Sequence, residues 1–258
     1  MALSKLSRSI KGKVVIVTGA ASGMGRATAH LFADEGATVA LIDINAAPLA
    51  EVVGEIHAEG LEAKGWTLDL SDADAVGRVI KDVGEHFGGI DILVNNAGIS
   101  LFAPIDAPEY LAAWDKSFAV MLTAQALTVR AALPYLRQAE HPRIINIAST
   151  EALGATKFGS PYTAAKSGVV GLTRSLAVEL GPENITVNCI CPGPINTGMT
   201  DGISDEHKEI FARRRVALRR YAEPEEVAHA TLSFALPASQ YITGTTLPVD
   251  GGMTIRNA

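Results

Sequence analysis

Short runs of β-branched and other apolar residues alternate with longer amphipathic segments along the chain. We predict seven strands from these runs, at 14–18, 38–42, 63–68, 90–94, 143–148, 185–190 and 245–249. Runs such as VVIV and IDILV are apolar at successive positions, which is typical of strands buried on both faces of a mostly parallel sheet. The alternation of these strands with helices predicts a doubly wound α/β fold with helices on both faces of the sheet.

Residues that start and end helices agree with this division. Ser71 is expected to cap the N-terminus of the helix that follows it, and Pro224 is expected in the first turn of another. Gly36, Gly60 and Gly88 stand where helices should end. In open sheets of this kind ligands bind beyond the carboxyl ends of the strands, so functional residues are sought there.

Length and composition limit the protein class. The chain has 258 residues, of which 48% are hydrophobic and 19% charged, and no linker interrupts it, so we predict a single domain over 1–258. The net charge of −6 argues against nucleic-acid partners and favours small-molecule ligands. No apolar run approaches about 18 residues, and the N-terminus lacks the apolar stretch of a secretion signal. We therefore expect a cytoplasmic protein that does not span a membrane.

Cysteine and histidine usage gives no sign of a metal site. Cys189 and Cys191 are too close in sequence for an easy disulfide and do not form a C-x-x-C pattern, so we expect both to be small core residues. The six histidines show no metal-binding spacing, and no metal is predicted. The chain also lacks the G-x-S-x-G motif, which argues against an esterase.

A glycine-rich segment, TGAASGMG at 18–25, follows the first predicted strand and opens into a helix. Its spacing differs from G-x-G-x-x-G, but the order of strand, loop and helix is that of a pyrophosphate site, where helix N–H groups point at the anion. The segment therefore predicts a dinucleotide cofactor. The residues expected to bind it here are Gly19, Ser22, Gly23, Met24 and Gly25.

The residue at the end of the second predicted strand bears on which dinucleotide is bound. The carboxylate of Asp43 can accept hydrogen bonds from ribose hydroxyls and would repel a 2′-phosphate. The glycine segment contains no basic residue, and Ile44 and Asn45 follow the aspartate, so we predict NAD rather than NADP. Asp43 could instead cap the next helix. Arg26, beyond the last glycine, is expected to have an ordinary surface role.

Further motifs follow the remaining strands. They read DL at 69–70, NNAG at 95–98, YTAAK at 162–166, PGPINT at 192–197 and VDGG at 249–252. In this order, together with the glycine segment, they resemble the classical short-chain dehydrogenase/reductase family over almost the whole chain. The resemblance implies a Rossmann-type domain, a homotetramer and a mobile substrate lid at about 198–220.

The resemblance also implies roles in cofactor binding for residues outside the glycine segment. Asp69 and Leu70 would hold the adenine, and Ile195 and Thr197 would contact the nicotinamide amide. The remaining implied cofactor residues are Asn96, Ala97 and Gly98 beside the adenosine ribose, and Pro192 and Gly193. Alternatives remain for three of these positions, because Asn96 could only join strands, Asp69 could cap a helix, and Pro192-Gly193 could be an ordinary turn.

Three residues are candidates for catalysis. Tyr162 and Lys166 are four positions apart and share one helix face, so a protonated amine can favour tyrosinate. At an effective dielectric constant near 20, a positive charge about 4 Å away stabilises the phenolate by about 4 kcal/mol. This would lower the tyrosine pKa by about three units from its ordinary value of about 10. Ser149 ends the fifth predicted strand and could donate a hydrogen bond to the substrate oxygen. We predict that Tyr162 and Lys166 also contact the cofactor.

One position departs from the family pattern. The resemblance implies an asparagine in the long helix, in a segment like V-N-L, whose backbone holds a water in the proton relay to the lysine. Met121 stands there in this chain, and a thioether is only a weak acceptor and cannot donate. Either a backbone carbonyl with water, or a hydroxyl such as that of Thr123, sustains the relay, or the enzyme is slow.

These residues together predict an NAD(H)-dependent oxidoreductase that interconverts a secondary alcohol and a ketone, with Tyr162 as general acid/base. The alternatives are a 3-oxoacyl reductase using NADPH, and a catalytically impaired dinucleotide-binding sensor or scaffold. Substrate-side residues are expected within 100–105, 151–158 and 199–215. The arginines at 213–215, 219 and 220 could cover an anionic group, although a solvated helix face or a subunit contact is the simpler interpretation.

Overall fold

The computed structural model describes residues 6–257. Residues 1–5, which open the N-terminal segment considered above for a secretion signal, and residue 258 lie outside the described residues. The strands are β1 (Val14–Thr18), β2 (Thr38–Asp43), β3 (Ala63–Thr67), β4 (Ile92–Asn95), β5 (Arg143–Ile147), β6 (Thr186–Pro192) and β7 (Thr246–Val249). They form one seven-stranded sheet in the order β3-β2-β1-β4-β5-β6-β7, and every neighbouring pair is parallel.

Helices cover both faces of the sheet, as predicted. The helices are α1 (Gly23–Asp34), α2 (Ala46–Ala58), α3 (Ala73–Phe87), α4 (Tyr110–Phe118), α5 (Ala124–Leu136), α6 (Ser160–Leu180), α7 (Asp205–Arg215) and α8 (Pro224–Ala235). One layer packs α1 against α8, and the other packs α3 against α5, with α6 beside them on β5 and β6.

The apolar strands contribute side chains to two cores, one on each face. Val15 and Val17 of β1 belong to the core beneath α1 and α8, whereas Ile16 belongs to the core beneath α3 and α5. All three are completely buried. Because burial of such a side chain stabilises the fold by about 1.5–3 kcal/mol, successive apolar residues are favoured on both faces of these strands. This is the physical origin of the sequence pattern that predicted a parallel sheet.

One predicted helix cap is wrong. Asp72, rather than Ser71, caps α3, and its carboxylate accepts from the Ala75 N–H at 3.0 Å. The Ser71 hydroxyl donates to Asp69 at 2.7 Å, so it is committed elsewhere. Gly88 adopts the predicted left-handed conformation (φ 76°) at the end of α3.

The chain from Tyr110 to Leu136 forms one continuous helical rod, in which a π-helical turn at Ala119–Thr123 joins α4 and α5. By length and composition alone this rod could cross a membrane, although polar residues interrupt its apolar positions. Its contacts with α3, α6 and β4 are those of a core helix of the α/β fold, and a core helix meets the same criteria.

The two cysteines behave as predicted. Cys189 and Cys191 are free, and both side chains are buried on β6. Within residues 6–257, no group of three or more histidine, cysteine, aspartate or glutamate side chains is placed to hold a metal ion.

Candidate active site

A cavity of about 600 Å³ opens at the carboxyl ends of the strands, on both sides of the point where strand order reverses between β1 and β4. This is the usual position and size for a ligand site in a doubly wound sheet. Its lining includes most of the predicted cofactor residues, namely Gly19, Ser22, Gly23, Met24, Asp43, Asp69, Leu70, Asn96, Ala97, Gly98, Tyr162, Lys166 and Thr197.

The glycine segment forms the turn between β1 and the first residue of α1. Gly19 (φ 68°) and Gly23 (φ 53°) have left-handed backbone conformations that side chains rarely tolerate. Gly25 does not line the cavity; a Cβ atom there would overlap the carbonyl oxygen of Gly19 and lie 2.5 Å from the Nδ2 of Asn96. Gly25 therefore allows close packing of the turn, while the start of α1 presents N–H groups to the cavity.

Asp43 connects the glycine turn to the end of β2. Its carboxylate accepts from the Ala21 N–H at 3.0 Å and from the Asn45 N–H at 2.9 Å. Asn45, not Asp43, occupies the N-cap position of α2, so the capping alternative for Asp43 is wrong. Arg26 has the expected surface role, because it forms an ion pair with Glu55 at 2.8 Å.

Asp69 lines the cavity beyond the end of β3, and it is held by Ser71 of its own loop and by Lys116 of α4. The side-chain and backbone hydrogen bonds of Ser71 lower the pKa of Asp69, and the nearby Lys116 ammonium, 3.5 Å away, acts in the same direction. Lys116 also donates to the Ser71 hydroxyl at 2.9 Å. The sequence alone did not indicate Lys116, because only the folded chain brings this α4 residue to Asp69 and to the cavity.

Asn96 joins two strands, as one of its two interpretations predicts, and it also lines the cavity. Its Nδ2 donates to the Thr18 carbonyl at 2.9 Å, and its backbone N–H donates to the Thr18 hydroxyl at 3.0 Å. The Oδ1 of Asn96 is buried and has no hydrogen-bond partner within the described part of the chain. A buried polar atom beside a cavity is a natural contact for a bound polar molecule or water.

The PGPINT motif reaches the cavity at one residue only. Thr197 lines it, whereas Pro192, Gly193 and Ile195 do not. A Cβ atom at Gly193 would lie 2.7 Å from the Asp250 Cα, and Ile195 is buried and bridges to Ala222. These residues place Thr197 by packing.

Two of the three predicted catalytic residues, Tyr162 and Lys166, share one face of α6 and line the cavity. Ser149 follows the end of β5 by two residues, caps the short turn Thr150–Ala152 and does not itself line the cavity. The Lys166 Nζ donates to the Ile147 carbonyl at 2.8 Å and lies 5.8 Å from the centre of the Tyr162 ring. The Ser149 hydroxyl is a hydrogen-bond partner of the Tyr162 phenol.

The expected lowering of the Tyr162 pKa is wrong for the protein chain alone. Burial raises the pKa of the phenol; the hydrogen bond with Ser149 opposes this increase, and the negative charge of Glu151 adds to it. Burial also lowers the pKa of Lys166 to about 8. Desolvation dominates for both groups, because Lys166 is buried and Tyr162 is mostly shielded from solvent.

Met121 is completely buried in the π-helical turn, in an apolar cluster with Val120 and Ala165. A Cβ atom at Gly98 would lie 3.6 Å from the Lys166 Nζ and 4.0 Å from the Met121 Sδ, so the thioether and the amine flank the same stretch of backbone. The helix is thus irregular at this position, as a π-helical turn, although the residue is methionine and not asparagine. The side chain of Thr123 is exposed, which argues against the Thr123 hydroxyl as a substitute relay group.

Apolar side chains surround the Tyr162 end of the cavity. Phe102 stacks on Tyr162 with ring centres 6.1 Å apart, and Met199, half exposed, lines the cavity. Phe158 has a left-handed backbone (φ 65°) and accepts a hydrogen bond from the Ala103 N–H at 2.9 Å. Bulky residues adopt this conformation only where surrounding contacts fix it, so the backbone at Phe158 is held in place at the rim of the cavity.

The arginine cluster on and after α7 is partly neutralised on the surface. Arg213 pairs with Glu209 and Arg220 pairs with Glu226, each at 2.6 Å, and all four residues are exposed. These pairs favour the solvated-face interpretation of the cluster over an anion site.

Comparisons with known proteins agree with this geometry. A family model described as Enoyl-(Acyl carrier protein) reductase matches residues 19–254. The chain is 38% identical to the 3-oxoacyl-(acyl-carrier-protein) reductase FabG of Thermotoga maritima, with 95% of this chain and 99% of the relative covered. It is 36% identical to meso-2,3-butanediol dehydrogenase of Serratia marcescens, with 94% of each covered.

A solved structure, a dehydrogenase/reductase from Sinorhizobium meliloti 1021, matches with a TM-score of 0.90 at 38% identity, with 98% of both chains covered. The family match, the identity to full-length relatives and the shared architecture lead to one conclusion. The chain belongs to the classical short-chain dehydrogenase/reductase family and is an oxidoreductase of that family.

Proposed function

We propose that the protein is an NAD(H)-dependent oxidoreductase that interconverts a secondary alcohol and a ketone, with Tyr162 as the general acid/base. The observation that carries this proposal is the placement of Tyr162 and Lys166 in the same cavity as the glycine turn and Asp43. A hydride-transfer enzyme needs its proton-transfer group beside its dinucleotide site, and the shared cavity supports this assignment of roles.

The cavity residues fit a nicotinamide dinucleotide. The start of α1 would bind the pyrophosphate, Asp43 the adenosine ribose, and Asp69 with Leu70 the adenine. The unpartnered Oδ1 of Asn96 is a further polar contact at the wall. When bound, such a dinucleotide supplies the hydride acceptor or donor and, in its oxidised form, a positive charge that favours phenolate at Tyr162.

The side chains of the protein would manage the proton. In alcohol oxidation Ser149 holds the substrate oxygen by a hydrogen bond, while the Tyr162 oxygen takes the hydroxyl proton. Lys166, with a pKa of about 8, carries its proton in most molecules at neutral pH and so stabilises the phenolate electrostatically. Its hydrogen bond to the Ile147 carbonyl fixes the amine in place.

Asp43 should make the enzyme prefer NADH to NADPH, because its carboxylate would repel a 2′-phosphate. Among the described residues that line the cavity, only Lys116 and Lys166 are basic, and Lys116 is engaged by Asp69 and Ser71. We expect Asp43→Ser to lower the ratio of kcat/KM with NADH to kcat/KM with NADPH by about tenfold or more. A tenfold change in this ratio corresponds to about 1.4 kcal/mol in the free-energy difference between the two cofactors.

The control for this change is Asp34→Ser, which removes an exposed aspartate at the end of α1 and should leave the ratio unchanged. Steady-state kinetics with both cofactors measure the ratio. A wild-type enzyme that prefers NADPH contradicts the cofactor proposal.

A second candidate is a 3-oxoacyl reductase that uses NADPH. The relative from Thermotoga maritima favours it, and Asp43 counts against it. Reduction of a 3-oxoacyl thioester with NADPH, compared with NAD⁺ reduction across a panel of secondary alcohols, separates the two. A protein that binds NAD(H) but turns over neither substrate class supports the sensor alternative.

We expect Met121→Asn to change turnover by less than about fivefold. Proton abstraction by Tyr162 needs the charge of Lys166 and a path to solvent, and the π-helical turn already supplies irregular backbone beside that amine. Single-turnover and steady-state rates of both forms measure this. A gain of about a thousandfold, the size of a full general acid-base contribution, would show that the native site is effectively disabled.

The remaining organisation is inferred from the resemblance. We infer that the whole chain acts as one catalytic domain and that 198–220 closes over the substrate. We also infer that the enzyme works in the cytosol as a homotetramer without nucleic-acid or membrane partners. Native mass measurement tests the tetramer.

The apolar rim of Phe102, Phe158 and Met199 favours substrates with an apolar group near the carbinol carbon.

A further inference from the structure

Glu151 contacts both the hydroxyl of Ser149 and the helix that carries Tyr162, the two hydroxyl residues of the proposed catalytic site. It belongs to the short turn Thr150–Ala152 that begins directly after Ser149. Its backbone N–H donates to the Ser149 hydroxyl oxygen at 3.1 Å. Its side chain points in the other direction along the site, toward the first turns of α6, where Tyr162 is located.

The Glu151 carboxylate accepts three hydrogen bonds. The Thr163 hydroxyl, on the residue next to Tyr162, donates to it at 3.0 Å. Thr156 donates twice, from its backbone N–H at 2.8 Å and from its hydroxyl at 2.7 Å. One side chain thus connects the end of β5, the loop that carries Phe158, and the start of α6.

We propose that Glu151 is a positioning residue that sets the separation of the Ser149 and Tyr162 hydroxyls by tying the 150–159 loop to the first turn of α6. The inference rests on the proposed function of those two hydroxyls. Misplacement of reacting groups by about 1 Å can reduce a rate by about a hundredfold, so such a tie has a catalytic consequence.

The same carboxylate acts on the protonation of Tyr162. The charged or titratable groups that face the phenol are Lys166 on α6, Glu151 in the turn after β5, and Cys191 on β6. Burial raises the pKa of Tyr162 most, and the Glu151 charge raises it further. Removal of that charge therefore lowers the pKa, and the phenolate becomes available at lower pH.

Two substitutions separate geometry from charge. In Glu151→Gln, the amide oxygen can keep the Thr156 N–H and Thr163 contacts, and the NH₂ group can donate to the Thr156 hydroxyl, which also accepts. The ties remain and the charge is lost. Glu151→Ala removes both, and Thr163→Val removes only the tie to α6 without changing charge.

The decisive experiment measures kcat, KM and their pH dependence for secondary-alcohol oxidation in these variants. We expect Glu151→Ala to lower kcat by about tenfold or more and Thr163→Val to lower kcat by a smaller factor. In both variants KM should change less than kcat. We expect Glu151→Gln to keep kcat within about threefold and to shift the rising limb of the pH profile toward lower pH. The matched control is Glu179→Gln, an exposed glutamate further along α6, which should change neither.

The inference is overturned if Glu151→Ala, folded by its thermal transition, keeps wild-type kcat and pH profile, or if Glu151→Gln loses as much kcat as Glu151→Ala. A failure of the proposed function looks different, because the wild type would then oxidise no alcohol. In that event NMR titration of ring-labelled tyrosine, with Tyr162 assigned by Tyr162→Phe, tests the charge effect directly. An unchanged Tyr162 titration in Glu151→Gln then rejects the inference.

Discussion

Tyr162→Phe is expected to lower kcat/KM for alcohol oxidation by about 10³- to 10⁴-fold while dinucleotide affinity changes by less than about threefold. The substitution removes only the phenolic oxygen, which is the proposed proton acceptor and the partner of the Ser149 hydroxyl. The ring keeps its stacking on Phe102. Steady-state kinetics and NADH fluorescence titration measure the two quantities separately.

Tyr135→Phe is the matched control for this change. The Tyr135 hydroxyl donates to the Lys81 carbonyl at 3.3 Å where α5 packs against α3, and Tyr135 does not line the cavity. Its loss should leave both kcat and NADH affinity near wild type. If Tyr162→Phe retains more than about a tenth of wild-type activity, Tyr162 is not the general acid/base.

The fold could be predicted because both faces of the strands are buried. The side chain of Ile16 packs in one core, and those of its neighbours Val15 and Val17 pack in the other. All three are therefore apolar, and the strand appears in the sequence as a continuous apolar run. The first residue of a helix is harder to predict from the sequence where two good capping residues are adjacent. Ser71 and Asp72 are both good caps, and the hydrogen bond between Ser71 and Asp69, which depends on the loop, decided between them.

The candidate site could be predicted as far as it follows strand ends. Gly19 and Asn96 each follow a strand directly and Asp43 is the last residue of one, and a parallel sheet brings those ends to one edge. Lys116 could not be predicted in this way, because it comes from a helix whose packing the sequence does not encode locally. The direction of the Tyr162 pKa was also missed, since it depends on the degree of burial.

Gly25→Ala is expected to destabilise the protein by about 3 kcal/mol and to abolish measurable dinucleotide binding. The new methyl group would overlap the Gly19 carbonyl oxygen and lie 2.5 Å from the Asn96 Nδ2. These neighbours are the backbone of the turn and a side chain fixed by Thr18, so neither can move without opening the cavity wall. Urea denaturation and NADH titration measure the two effects.

Gly77→Ala provides the opposite expectation within the same protein. Gly77 is exposed in α3, and a Cβ atom there meets nothing within 4 Å. Because alanine favours the helix over glycine by about 0.5–1 kcal/mol, this variant should be more stable than wild type and bind NADH equally well. The contrast isolates contact with Gly19 as the cause, since both changes add one methyl group to a helical glycine. Equal stability of the two variants would mean that the turn can relax, and the close approach of α1 to the end of β1 would then not be required for cofactor binding.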